Sequence, residues 1–290
     1  MYSTTMTNFN IDLTDCHASN FIDACEISLY SQFCKDSPIN SLAGKYKGIV
    51  NANNHKQIFN IVGAGYKIIQ HKEVFEVVHE NLTNLGMNAK IRSYEVSDGG
   101  RLRLDVDFPD LQVRPSEAIQ GEIVNLRIAI DNSYNGSTGL RCVVQGYCNQ
   151  DGTVFTLPYR FAKFYHKHTQ GADSNNMGMS LEKGINIYKT KVKELWDNYY
   201  NTKLDPQKVV DFLAESLEKA SGSSSRIIAD KYMKEILEVA RVKRVTNQWE
   251  LFALVAKIMT HAGSSLDIKE KAISDMDKFI SANVSKLLMG

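Results

Sequence analysis

The sequence lacks any long apolar run: no stretch reaches the roughly 18 consecutive apolar residues of a membrane-spanning helix. Its first thirty residues also lack a basic start followed by an apolar segment, so neither export nor membrane insertion is expected. Charge of one sign is missing as well. Lys and Arg number 34 against 33 Asp and Glu, a net charge of +1, so an anionic partner must be held by local patches and not by the field of the whole molecule. Cysteine is scarce and odd in number, with Cys16, Cys25, Cys34, Cys142 and Cys148 forming no C-x-x-C pair. That excludes a disulfide framework and points to a reducing compartment, the cytoplasm. The first three cysteines recur every nine residues, but no His or Cys stands at finger spacing from them, so they read as small buried hydrophobes and no metal is expected. No internal repeat is visible.

What is present is the composition of a soluble globular protein, with 290 residues, 43% hydrophobic and 23% charged. Its centre is the stretch from Gly121 to Phe155, two β-rich runs joined by the turn Asp131-Asn132-Ser133-Tyr134-Asn135-Gly136-Ser137. Ile123, Val124, Leu126, Ile128 and Ile130 largely alternate with Glu122, Asn125, Arg127 and Asp131, and Leu140, Cys142, Val144 and Gly146 with Arg141, Val143, Gln145 and Tyr147. Period two predicts a hairpin with one face buried and one wet, the wet face carrying Arg127 and Arg141 beside an Asn- and Gly-rich turn.

Residues 1–58 read as a polar, irregular N-terminal arm, with a loop at 51–55. A short buried strand is expected at Ile58–Val62, closed by Gly63-Ala64-Gly65, which resembles half of a dinucleotide loop but lacks the third glycine and an ensuing helix. From His71 the residues Val74, Phe75, Val77, Val78, Leu82 and Leu85 follow helical spacing, with Gly86 where a C-terminal cap belongs. Lys90–Ser97 and Leu102–Phe108 flank Asp98-Gly99-Gly100, the signal of a second hairpin, which Pro109 and Pro115 close.

After Phe155, Tyr159-Arg160-Phe161-Ala162-Lys163-Phe164-Tyr165-His166-Lys167-His168 interleaves aromatic and basic residues. Between Tyr134 and Gln170 the basic residues Arg141, Arg160, Lys163 and Lys167 face one acidic residue, Asp151, the clearest positive excess in the chain. Rings for base stacking among cations for phosphates are what a nucleic-acid single strand needs; a core-facing aromatic row with snorkelling Lys and Arg is the plainer alternative. Gly171–Gly178 reads as a polar boundary loop. Beyond it helices are expected at Met179–Tyr200, from Asp205-Pro206, and at Arg226–Lys243, Asn247–His261 and Asp267–Leu288, with a Gly/Ser break at 221–225. The expected fold is α+β: an arm at 1–58, a core domain of hairpins with one packed helix at 59–170, and a helical subdomain at 171–290.

Several stretches, taken in order, resemble a known family. Tyr66-Lys67-Ile68-Ile69-Gln70-His71-Lys72-Glu73-Val74-Phe75, the Asp131–Ser137 turn, Cys148-Asn149-Gln150-Asp151-Gly152 with Lys167-His168-Thr169 downstream, and Asn247-Gln248-Trp249-Glu250-Leu251-Phe252 with Thr260-His261 resemble the phage- and plasmid-borne proteins that share a domain of unknown function. The likeness covers roughly residues 60 to 265, and departs from the family pattern at Tyr134-Asn135 and at Gln150-Asp151. It implies a protein of mobile-element replication or recombination without established catalytic residues. By analogy of element order alone, the chain is also similar to phage single-strand annealing proteins of the Redβ and Erf kind.

The function expected is therefore a non-catalytic, oligomeric protein of the host-cell cytoplasm that binds single-stranded DNA and promotes strand annealing, with no cofactor and no membrane partner. Arg127, Arg141, Arg160, Lys163 and Lys167 would contact phosphates, and Tyr159, Phe161 and Tyr165 would stack on bases. The alternative is an interaction protein that blocks a host defence or replication factor, which the near-neutral charge favours. An enzyme using His166, His168, Asp131 or Asp151 ranks last, because none of them stands at a spacing that a reaction class requires.

Overall fold

A computed structural model of the chain describes residues 9–28, 45–96, 98–115, 123–157, 163–168, 176–220, 230–262 and 266–289. Their element order is β1 (Ile11–Asp12), β2 (Ala24–Ser28), β3 (Tyr46–Asn51), β4 (Asn54–Gly63), α1 (His71–Leu85), β5 (Ala89–Val96), β6 (Arg101–Val113), β7 (Val124–Ser133), β8 (Leu140–Cys148), β9 (Val154–Thr156) and β10 (Lys163–His166). Helices follow: α2 (Asn176–Ile187), α3 (Lys193–Asn201), α4 (Pro206–Ala220), α5 (Asp230–Lys243), α6 (Gln248–His261) and α7 (Leu266–Leu287). The fold is α+β. Among the described residues the larger sheet runs β1-β5-β6-β7-β8-β10, with β9 also paired to β8, and the smaller one runs β2-β3-β4. β1 lies parallel to β5, while the pairs β5–β6, β8–β9 and β8–β10 and both pairs of the smaller sheet are antiparallel.

The chain groups into two compact units. The first comprises Met1–Asp110, Arg127–Val143 and Ala162–Gly184, the second Leu111–Leu126, Val144–Phe161 and Ile185–Gly290. In the first unit the Asp98-Gly99 turn forms as its residue types require, with φ of 51° and 82° in succession. A side chain at position 99 would also collide with Ile22, whose Cδ1 lies 2.3 Å from where a Cβ would stand, so the turn is doubly committed to glycine. α1 buries Val74, Val78 and Leu82 on one stripe and ends at Gly86 with φ 59°, the left-handed cap. Those buried residues match the expected helix.

Four expectations are corrected here. Residues 9–28 and 45–63 are not irregular: they supply β1 and the whole smaller sheet, in which Ala24 and Ile49 join Tyr134 in a core flanked by Phe59, Val62, Tyr66 and Ile68. β4 is longer and less buried than the expected strand, with Ile58 and Ile61 42% and 55% exposed. β7 has no wet face at all, since every residue from Val124 to Ser133 is buried. β6 also continues through Pro109 to Val113.

In the second unit the helices begin where capping side chains stand. Asp205 accepts from the Gln207 N–H at 2.8 Å ahead of Pro206, and Asn247 accepts from the Glu250 N–H at 2.9 Å. Glu250 returns the contact to Thr246, its carboxylate 2.7 Å from the Thr246 N–H. Between α2 and α3 a turn of π-helix at Tyr188–Val192 turns Tyr188 and Val192 inward in line with Trp196 and Tyr199, all buried. α2 starts at Asn176, so the last residues of the expected 171–178 loop are helical. The expected Gly/Ser break at 221–225 lies outside the described residues.

Candidate functional site

The polar face of β5 to β10 is built by register. Arg92 opposes Asp105 and Tyr94 opposes Arg103 across β5 and β6, while Arg141 opposes Tyr165 across β8 and β10. Opposed residues of an antiparallel pair share a face. Asp131 of β7 joins the two halves, its Oδ1 2.7 Å from Arg101 Nη2 and its Oδ2 2.7 Å from Arg141 Nε and 3.6 Å from Arg103 Nη1. Arg127 forks onto Asp107 with Nε at 2.5 Å and Nη2 at 3.0 Å, and its Nη1 lies 3.4 Å from Asp105. Arg92 bonds Asp107 as well, and Arg103 Nε reaches Asp105 at 2.8 Å. Among the described residues this network sets five guanidiniums against three carboxylates.

The centre of the network is buried, with Arg103 3%, Arg127 5% and Asp131 0% exposed, while Arg92, Arg101 and Arg141 are half-buried. Burial pushes the Asp105 carboxyl up, but Arg103 and Arg127 outweigh it and hold it below the usual carboxylate range. Burial likewise pulls Arg127 down, and Asp105 and Asp107 more than restore it. The expectation that Arg127 and Arg141 lie on a wet face is therefore corrected. A solvated strand face and an ion-paired one alternate identically in sequence, and here Asp105 and Asp107 of β6 supply the counter-charge to Arg127 and Asp131 of β7 that to Arg141.

The exposed groups of this face stand at its flanks. Tyr94 of β5 is 42% and Tyr165 of β10 48% exposed, and Lys167 just beyond β10 is exposed. From β5 to β10 is four strand spacings, about 19 Å. Lys163 opposes Val143 in β10, and Tyr159, Arg160 and Phe161 lie outside the described residues.

A second cluster in the same unit is built around Tyr134 and His71, to which sequence reasoning gave no role. Tyr134, in the turn after β7, points inward at 0% exposure and stacks on His71 with ring centroids 3.9 Å apart. Its hydroxyl accepts from the His71 N–H at 2.8 Å and lies 3.0 Å from both the Ile22 carbonyl and Gln70 Oε1. Gln70 clasps Ala24 of β2 through both backbone groups, accepting at 3.1 Å and donating at 2.8 Å. Burial pulls His71 down to about 3, so its ring is neutral. With Nε2 donating to the Gly99 carbonyl at 3.1 Å, Nδ1 is the acceptor for Asn132 Nδ2 at 3.0 Å. Asn132 Nδ2 also donates to the Ile69 carbonyl at 2.8 Å, and Tyr66, stacked on His168, donates to the Ser133 carbonyl at 2.9 Å. His168 is lowered by burial too, against its bond to the Lys67 carbonyl. Neutral imidazoles enclosed this way fix backbone and supply no acid near pH 7. Cys142, pushed up to about 12 by burial and then by Asp131, supplies no thiolate.

In the second unit Cys148–Gly152 and Asn247–His261 come together. Phe155 of β9 stacks on Trp249 at 5.2 Å, Trp196 lies 5.2 Å from Trp249, and Phe252 closes the group 5.8 Å from Phe155. Gly146 admits the Trp196 ring, since a Cβ there would stand 2.6 Å from Trp196 Cη2. Thr260 Oγ1 accepts from the Val154 N–H at 3.0 Å, and Asp151 pairs with Lys257 at 2.7 Å. Two stretches distant in sequence thus meet around β9.

Among the described residues no three His, Cys, Asp or Glu side chains come together as a metal site, and no helix is long and apolar enough to cross a membrane. Comparison with protein-family models, with curated proteins and with solved structures finds no match.

Proposed function

We propose that the protein is a non-catalytic, oligomeric single-strand DNA-binding and annealing protein, acting in the cytoplasm in the recombination of phage or plasmid DNA, and that the strand lies across the polar face of the larger sheet. The observation that carries this reading is the transverse row of that face, in which two half-exposed tyrosines, Tyr94 and Tyr165, flank guanidiniums held in fixed planes by aspartates. Rings offer stacking surfaces to any base at about 1 to 3 kcal/mol each, and the surplus of arginine over aspartate biases the face toward phosphate. Lys163 and Lys167 near Tyr165 extend the basic character of that edge, and the sequence just before them adds Tyr159, Arg160 and Phe161 as candidate contacts. Arg127 and Arg141 act here through position and field, since their guanidiniums already meet carboxylates.

Self-association belongs to the same reading. β4 ends its sheet with Ile58 and Ile61 exposed, and long exposed edge strands invite a further strand. Light scattering is expected to show a species larger than 32.6 kDa at micromolar concentration.

The test is a salt titration with a labelled oligonucleotide. Replacing Lys163 and Lys167 by Ala should weaken binding and reduce the log-log salt slope by about 1.4, two phosphate contacts on a single strand. Tyr94→Leu with Tyr165→Leu should weaken binding and leave the slope unchanged, because stacking releases no counterions. Parent-like affinity in both variants would remove the sheet face from DNA binding and favour a role as a blocking partner of a host protein.

A further inference from the structure

We infer that the groove between α5 and α6, within the second unit, is a docking site for an acidic peptide segment carrying aliphatic or aromatic anchors. The groove has a volume of about 510 Å³. Its α5 wall is a stripe at intervals of four, Lys231, Glu235, Val239 and Lys243, and its α6 wall carries Leu254, Lys257, Ile258 and His261. Leu254 is buried and Val239 and Ile258 are half-buried, which makes them the floor, while Lys231, Lys243 and Lys257 stand exposed along the rim. Three lysines and a histidine face one glutamate.

Two features specify the chemistry of the occupant. The rim already takes a carboxylate, as Asp151 lies 2.7 Å from the Lys257 ammonium. A guest bearing several carboxylates would find the same partner type at Lys231 and Lys243, both solvent-exposed. The floor separates a peptide from a nucleic acid. Base stacking needs open aromatic faces, yet Tyr232, the phenol ring among the described lining residues, is buried at 8% exposure with the Lys231 ammonium 4.5 Å from its ring centroid, which leaves His261 at the rim as the exposed ring. Among the described lining residues no arginine, the usual phosphate fork, is found, and aliphatic groups occupy the floor instead. From Lys231 to Lys243 the α5 wall is about 18 Å long, the reach of about five or six residues of extended chain. Val242 on the same helix is 83% exposed, adding apolar surface beside the groove.

The experiment uses the full chain and a fluorescein-labelled peptide, Glu-Asp-Leu-Glu-Asp-Leu-Phe, followed by anisotropy. Three controls accompany it: a peptide with Gln and Asn at the acidic positions, one with Ser at the anchors, and an unlabelled oligonucleotide as competitor. Binding of the first peptide, at least about tenfold weaker binding of both control peptides, and about tenfold loss in the Lys231→Glu, Lys243→Glu variant would support the site. Those lysines are exposed, so the variant should keep the parent's far-ultraviolet dichroism, and Val239→Asp gives an independent check of the floor with the same expected loss. Equal binding of the acidic and amide peptides, or unchanged affinity in both variants, would overturn the proposal. Displacement of the peptide by the oligonucleotide would assign the groove to nucleic acid. An apparent peptide affinity that falls as protein concentration is raised, in step with a rise in molecular mass by light scattering, would assign the groove to a second copy, and either result would equally overturn it.

Discussion

At comparable depth the two units bury opposite kinds of surface. The first closes its sheet face with Arg92, Arg101, Arg103, Arg127 and Arg141 around Asp105, Asp107 and Asp131, while the second fills the space under β9 with Phe155, Trp196, Trp249 and Phe252. Buried ion pairs give back in attraction roughly what desolvation costs, so their net stabilisation is small, but removal of one partner strands a charge. Aromatic burial stabilises in proportion to area, and its loss leaves only a cavity. The ionic unit is thus specific and brittle, and the aromatic unit is stable and forgiving.

The largest effect should come from Asp131→Ala, which takes one carboxylate from three guanidiniums. About 5 kcal/mol of destabilisation is expected, read as a lower urea midpoint by circular dichroism. Trp196→Ala should cost about 3 to 4 kcal/mol by the same measurement. If the tryptophan change proves the costlier, the contrast between the units is reversed.

Acid should separate them next. Folded His71 stays neutral down to about pH 3, whereas an unfolded histidine binds a proton near 6.5, so between those values the unfolded chain holds more protons. The stability His71 contributes is complete above about pH 6.5 and is lost as pH falls, by up to about 1.4 kcal/mol per unit. His168, shifted the same way, adds to this slope, and Asp105, whose folded value is depressed, extends the loss below about pH 4. Stability measured at pH 6.5 and 4.5 should fall by about 2 to 3 kcal/mol in the parent and by clearly less in His71→Gln. An identical slope in the two proteins would break the link to the Tyr134 cluster.

Smaller effects test the caps and the solvent-facing pairs. Asn247→Ala should cost about 1 kcal/mol through loss of the bond from the Glu250 N–H. Lys193→Ala, which removes an exposed pair with Asp197 one turn away, should cost about 0.3 to 0.5 kcal/mol and less in high salt. A Lys193 effect as large as that of Asn247 would mean that surface charge supports this unit more than its local caps do.

Legibility in the sequence followed locality. Gly86, Asp98-Gly99, Asp205-Pro206 and Asn247 act on their own neighbours, and each stands at the element end or turn where its residue type belongs. Arg127 was illegible because its partners, Asp105 and Asp107, lie on another strand, and period-two alternation is the same whether a polar residue meets water or a buried opposite charge. β2, β3 and the first half of β4 were illegible because their polar residues dilute the apolar pattern, and their core residue Tyr134 arrives from a turn that reads as exposed. Of the candidate contact residues, Tyr165 and Lys167 stand exposed, while Tyr94, the ring on the far flank, carried only the ambiguous signal of one tyrosine in a strand.

The Tyr134 hydroxyl also sets an order of events during synthesis. Its partner carbonyl at Ile22 lies 112 residues earlier in the chain. At about 5 to 20 residues per second the early segment waits about 6 to 22 s before the tyrosine that seals it has been made. Throughout that interval β2 to β4 lack the ring that completes their core, and their edges are open to other chains. A nascent chain arrested before position 134 is thus the form of this protein most in need of a chaperone.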